Sequence, residues 1–219
     1  MKKRVGILIS GRGSNMMSLV AAARDPAYPA EIVAIISNRP EAPGLEWAKA
    51  QGMPAVAIDH QAYPTRTAFE AQMHKVLTEH RCDLIACCGF LRLMTADFVN
   101  LWHDRMLNIH PALLPAYKGL HTHERALADG VRIHGCTVHI VRAEMDAGPI
   151  LGQAAVAVLD GDTPDSLAAR VLAAEHRLYP HALALYAAGR ATVTGETIRL
   201  DTAATAAPSV ALTLFSPPV

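Results

Sequence analysis

The sequence predicts an α/β fold in which one mostly parallel sheet carries helices on both faces. Three observations lead there. Short continuous apolar runs, such as Val5 to Ile9 and the stretch over 84–88, read as strands buried on both sides. Stretches of helical period separate them. Glycine and proline punctuate the junctions.

Each element follows from its residues. Val5 to Ile9 ends at Ser10-Gly11 and gives way to a helix over 15–24. Glu31 to Ser37 is a second strand, with Asn38-Arg39-Pro40 as its turn. A short helix over 43–51 begins on a proline, and Gly52 stops it. Ala55 to Ile58 makes a third strand, and 65–80 a long amphipathic helix. The strand over 83–88 stops at Gly89, and Arg105 to Ile109 makes a fifth. His134 to Val141 then alternates in strand fashion, and 149–158 continues extended. Thr163-Pro164 is a helix start: a capping hydroxyl, then proline at the first helical position. That helix is expected to reach about Tyr186. Two short β-like pieces follow near 191–194 and 197–200. No linker divides the chain, so one domain is expected over 1–200. Residues 201–219 form a variable tail that, rich in Ala, Thr and Pro, reads as poorly ordered or loosely docked.

Bulk composition narrows the function. The 219 residues suit one α/β domain, and 51% hydrophobic residues supply its core. Lys+Arg and Asp+Glu both number 20, so no broad attraction to nucleic acid is expected. No stretch approaches the roughly 20 apolar residues of a membrane helix. Met1-Lys2-Lys3-Arg4 has the charge of an export signal, but the apolar run after it is too short for one. Cys82, Cys87, Cys88 and Cys136 form no CxxC pair and read as buried reduced thiols. A cytoplasmic enzyme without nucleic-acid or membrane partners is the expectation.

Ligands of such sheets gather at the carboxyl ends of strands. That rule marks Ser10 to Asn15, Gly89 to Met94 and Asn108 to Pro111. Ser10-Gly-Arg-Gly-Ser-Asn15 lets the backbone approach a ligand and opens a helix whose free N–H groups suit a phosphate. It is neither a Walker loop nor GxGxxG, because Met16 stands where the third glycine belongs. Asn108 and His110, two apart on an extended segment, face the same way. An amide for an oxyanion beside an imidazole for protons suits acyl transfer. Asp146, in Asp146-Ala-Gly-Pro149, could orient His110 and favour its charged form. Singly, each motif is also an ordinary turn. His121-Thr-His123 invites a metal, but no third ligand stands at useful spacing, and 118–120 reads as a substrate loop. His139 is expected on one face of its strand, near the site.

Together these segments resemble the phosphoribosylglycinamide formyltransferases, the folate-dependent transformylase family of purine biosynthesis. The motifs are Ser10-Gly-Arg-Gly-Ser-Asn15, Gly89-Phe-Leu-Arg92, Asn108-Ile-His-Pro-Ala-Leu-Leu-Pro115, Gly119-Leu-His-Thr-His123, His134-Gly-Cys-Thr-Val-His139 and Asp146-Ala-Gly-Pro149, and the likeness spans 4–200. The resemblance implies a Rossmann-like formyltransferase fold. It implies transfer of a formyl group from 10-formyltetrahydrofolate, as co-substrate, to the amine of 5'-phosphoribosylglycinamide. The N-terminal half would bind the nucleotide phosphate, and the C-terminal half would carry folate binding and catalysis. Gly13, Ser14 and Asn15 would hold the phosphate, and Glu175 the glycinamide end. Asn108, His110 and Asp146 would be catalytic. Arg66, Leu91, Arg92, Leu93, Met94, Arg142, Ala143, Glu144 and Met145, with Asn108 and Asp146, would form the folate pocket. No metal is implied, and the chain is expected as a monomer or homodimer. Arg12 departs from the family's Asn, and the tail after Asp201 matches nothing in the pattern.

Related activities fit less well. Formylation of initiator tRNA belongs to an enzyme with a further C-terminal domain, and this chain is neutral. Formyltetrahydrofolate hydrolases share the triad but carry an N-terminal regulatory domain. A dinucleotide oxidoreductase would need the missing third glycine. The intact Asn108, His110 and Asp146 argue against a non-catalytic binding module.

Overall fold

The computed structural model describes residues 1–201; the expected tail over 202–219 lies outside the described residues. Seven strands form the main sheet: β1 (Lys3–Ile9), β2 (Ala30–Ser37), β3 (Ala55–Ala57), β4 (Leu84–Cys87), β5 (Met106–His110), β6 (Ile133–Ile140) and β7 (Ile150–Ala157). Their spatial order is β3-β2-β1-β4-β5-β6-β7. The first five pair in parallel, while β6 runs antiparallel to both its neighbours. Among the described residues six α-helices accompany them, besides a 3-10 turn over His60–Ala62: α1 (Ser14–Ala23), α2 (Pro43–Ala50), α3 (Arg66–Glu79), α4 (Ala96–Leu101), α5 (Thr122–Ala128) and α6 (Pro164–Ala187). Strands β8 (Ala191–Thr194) and β9 (Thr197–Leu200) make a separate hairpin. Asp201 N–H donates to Arg190 O (2.8 Å) at its base.

The apolar run of β1 exists because both its faces are covered. Val5, Ile7 and Ile9 pack with Met16 and Leu19 of α1 and with Val171 and Leu183 of α6. Leu8, on the other face, packs with Met73 and Leu77 of α3 and with Phe98 and Trp102. Each such side chain, fully buried, contributes about 1.5–3 kcal/mol. No helix of the described residues is long and apolar enough to cross a membrane.

Local signals set the helix starts. Thr163 accepts from Ser166 N (3.2 Å), and Ser166 Oγ accepts from Thr163 N (2.9 Å), a reciprocal box that launches α6. Pro180 lies inside α6 and removes one ladder bond, yet the helix continues, anchored by buried Tyr179 and Leu183 on either side of it. The Tyr179 hydroxyl donates to Cys87 O (3.2 Å) and Leu107 O (3.1 Å), tying α6 to β4 and β5.

The expected strands and long helices are present, with ends shifted by a few residues at most. Helices α4 and α5 were not anticipated. At six and seven residues they are too short to show a period, and the cap of α5 is His121 in left-handed backbone (φ 58).

The topology fixes the position of the site. The chain runs outward from β1 through β2 to β3, then returns to the opposite side of β1 as β4. That reversal opens a crevice at the carboxyl ends of β1 and β4. Ser10 N–H donates to Gly89 O (3.2 Å), and Ser10 Oγ accepts from Leu91 N (2.8 Å), so the loops after these strands are bonded together.

Candidate active site

A cleft of about 900 Å³ opens at this edge of the sheet. Its walls come from Gly89–Met94, from the end of β5, from 119–124, from the β6–β7 turn and from α6. Segments far apart in the chain thus meet because five parallel strands end on one side.

Asn108 and His110 both line the cleft from β5. The antiparallel register sets His139 of β6 opposite Asn108. Asn108 Nδ2–H donates to His139 Nε2 (3.2 Å), and His139 Nδ1–H donates to Ile140 O (3.1 Å). The tautomer is assigned from this bonding pattern. Burial lowers the His139 pKa, against smaller raising effects of the Ile140 carbonyl and Asp146, so the ring is neutral. It holds one N–H of the Asn108 amide and leaves the other free. His139 was expected only to lie near the site; its pairing with Asn108 depends on a strand register that residue spacing does not show.

His110 is 5% exposed. Its Nε2–H donates to Tyr117 O (2.9 Å), and Nδ1 stands 3.5 Å from Asp146 Oδ2. The same carboxylate oxygen accepts from Gly119 N (2.8 Å), and its Oδ1 is 3.9 Å from His139 Nε2. Asp146 therefore joins the 117–121 loop to His110. Tyr117 (φ 55), His121 (φ 58) and Asp146 (φ 52) all hold left-handed backbone. Each such non-glycine residue costs about 1–3 kcal/mol; Arg81 and Asp104, away from the cleft, share the conformation.

At the other end of the cleft, Gly13 caps α1 in left-handed conformation (φ 68) with no side chain on the helix start. The first helical N–H groups are left available to an anion, reinforced by the helix dipole. Gly13 and Ser14 lie just beyond the cleft lining, which Asn15 reaches. Asn15 Nδ2–H donates to Glu175 Oε2 (2.6 Å) in buried surroundings, and Asn15 Oδ1 is buried with no partner among the described residues. Burial raises the Glu175 pKa, against the opposing effect of Asn15. A carboxyl raised on folding contributes its stability below the unfolded value near pH 4.3 and loses it as pH rises through the folded value. Glu175→Gln is therefore expected to raise Tm more at about pH 8 than at about pH 4. Thermal melts at the two pH values check this; equal shifts would contradict it.

The other expected residues separate into two groups. Leu91, Arg92, Leu93, Met94, Ala143 and Met145 line the cleft. Leu91 (67%), Leu93 (60%), Leu120 (71%) and Met145 (49%) expose apolar side chains around its mouth, a surface suited to a flat hydrophobic ligand. Arg66 is the exposed first residue of α3 and does not line the cleft. One turn later, Glu70 accepts from Thr95 N (2.8 Å) and from the Thr95 hydroxyl, holding the far end of the 91–94 loop. Glu144 is also outside the lining and pairs with Lys118 (3.0 Å). Arg142 lines the cleft, but its guanidinium is engaged by Asp104 and Glu196. The two histidines of 121–123 diverge: His121 faces solvent beside Glu124, whereas His123 packs edge-on against His134, with ring centroids 5.4 Å apart.

Comparison with known proteins places this geometry. The formyl transferase family matches residues 3–183. The trifunctional purine biosynthetic protein adenosine-3 of Bos taurus is 45% identical over 188 residues, 86% of this chain and 19% of that protein, so the chain spans about a fifth of that relative's length. The phosphoribosylglycinamide formyltransferase of Escherichia coli is 38% identical over 184 residues, 84% of this chain and 87% of that protein. The solved glycinamide ribonucleotide transformylase 1 from Symbiobacterium toebii superposes with a TM-score of 0.88 at 44% identity, covering 91% of this chain and 94% of that one.

Proposed function

This chain belongs to the formyl transferase family, within it to the phosphoribosylglycinamide formyltransferases, and we propose that it moves the formyl group of 10-formyltetrahydrofolate onto the amine of 5'-phosphoribosylglycinamide, a step of purine biosynthesis in the cytoplasm. One observation carries the reading above the rest. An amide, an imidazole and a carboxylate from β5 and the β6–β7 turn converge in one cleft, between an uncapped helix start and an apolar rim.

The chemistry follows from those groups. The nucleotide amine attacks the formyl carbon, and negative charge develops on the formyl oxygen. The free N–H of Asn108 is suited to that oxygen, and one such donor contributes about 10²–10³ in rate. His110, as imidazolium, stabilises the same charge. It then supplies the proton that folate N10 needs in order to leave, directly or through a water held by Asp146, and regains one from the attacking amine as that nitrogen becomes the formamide. General acid help of this kind contributes roughly 10²–10⁴. Asn15 Oδ1 and the Glu175 carboxylate are suited to the glycinamide N–H groups, and the α1 start to the phosphate. Leu91, Leu93, Leu120 and Met145 suit the pterin and its ring substituents.

Ser14→Asp is expected to weaken nucleotide affinity by about tenfold or more, because a carboxylate then faces the phosphate at the helix start. Calorimetric titration with the nucleotide checks this, and unchanged affinity would remove the loop from the site. The function itself is tested spectroscopically with 10-formyl-5,8-dideazafolate and glycinamide ribonucleotide. Loss of the formyl group that requires the nucleotide is the expected result. Deformylation without the nucleotide would identify a hydrolase, and binding of folate without reaction would point to another acceptor.

A further inference from the structure

Arg142 opens the turn that carries Asp146, and its guanidinium pairs with two carboxylates that lie outside the cleft lining. Its Nη2 stands 2.8 Å from Asp104 Oδ1, in the turn between α4 and β5, an ion pair without aligned hydrogen-bond geometry. Its Nε–H donates to both oxygens of Glu196 (3.2 and 3.1 Å), in the tight turn between β8 and β9. Asp104 holds left-handed backbone (φ 56), and its carbonyl accepts from the Tyr186 hydroxyl (2.6 Å) near the end of α6. The Arg142 side chain is 13% exposed, and a methyl group placed on Gly148 would lie 3.1 Å from its Cγ. The stem of Arg142 thus packs against the turn at Gly148, two residues after Asp146.

We infer that Arg142 is a positioning residue: a clasp of Asp104 and Glu196 around its guanidinium fixes the β6–β7 turn, and so sets Asp146 and the folate side of the cleft. The β8–β9 hairpin, which lends no residue to the cleft lining, acts on the reaction through this clasp. A planar fork between two carboxylates is geometry that lysine cannot reproduce. Glu196 is 68% exposed, so its share of the clasp is screened and modest. The inference rests on the formyl-transfer reading, and wild-type turnover reports on that reading separately from the variants below.

A double-mutant cycle with steady-state kinetics tests it. Arg142→Met, which keeps the stem, and the pair Asp104→Asn with Glu196→Gln are each expected to raise the folate KM or lower kcat by about three- to tenfold, with the nucleotide KM unchanged. The triple variant is expected to lose no more than either, because one contact is being removed twice. Arg142→Lys is expected to rescue little. If the carboxylate variants match wild type, or bind folate more tightly, while Arg142→Met alone loses affinity, then Arg142 touches folate directly and the clasp is wrong. Equal losses toward both substrates that track a falling Tm would reduce the clasp to general stability and also overturn it.

Discussion

Asp146→Asn is expected to lower kcat about 10²- to 10⁴-fold while leaving Tm close to that of the unsubstituted chain. The two effects separate because of what the substitution preserves. Asparagine tolerates the left-handed backbone at position 146, and its amide oxygen can still accept from Gly119 N. What disappears is the negative charge 3.5 Å from His110 Nδ1. Without it the imidazolium loses its partner in the transition state, and any water held between carboxylate and N10 loses its acceptor. The Asn108–His139 pair does not involve the carboxylate and should persist. Stopped-flow turnover with saturating substrates, paired with a thermal melt, measures both quantities. A variant within a few-fold of native kcat would strip Asp146 of its role.

Gly148→Ala is expected to damage fold and activity together. A Cβ at this position would stand 1.7 Å from Ile140 O, a backbone atom at the end of β6 that has no freedom to retreat. The turn must open to admit the methyl group, and overpacking of this kind destabilises by about 1–3 kcal/mol or more. The bend also carries Asp146 two residues earlier, and a displacement of about 1 Å in a catalytic group lowers rate by roughly 10²-fold. Urea denaturation and kcat measured on the same preparation check both parts. Native stability with native turnover would show that the turn is looser than its packing requires.

The contrast between these two positions shows what residue order reveals. Asp146 was legible because carboxylate, glycine and proline in sequence resemble a known motif. Gly148 read only as a turn former, because its constraint is contact with a strand eight residues earlier. The apolar runs of β1 and β4 declared themselves for a simple reason: burial on both faces leaves no polar position to confuse the period. Thr163-Pro164 was equally plain, since capping is local; the two last β-like pieces were also visible, and the structure pairs them as a hairpin.

Long-range pairing was not legible. Asn15 meets Glu175 across 160 positions, and Arg142 meets Glu196 across 54. Nothing in either neighbourhood signals such a partner. Arg142 was expected in the folate pocket; it lines the cleft, and its guanidinium pairs with two carboxylates distant in the chain. The fifth and sixth strands pair antiparallel, and that single reversal brings His139 to Asn108. The left-handed backbone at Tyr117 was also hidden, because tyrosine does not announce that conformation.

The most direct measurement follows a ¹³C label in the formyl group through one turnover, with protein in excess over both substrates, by NMR of the quenched products. The account predicts label on the glycinamide amine, no labelled formate, and no transfer when the nucleotide is omitted. Labelled formate, with or without the nucleotide, would mean that water is the acceptor in this cleft and would contradict the central claim.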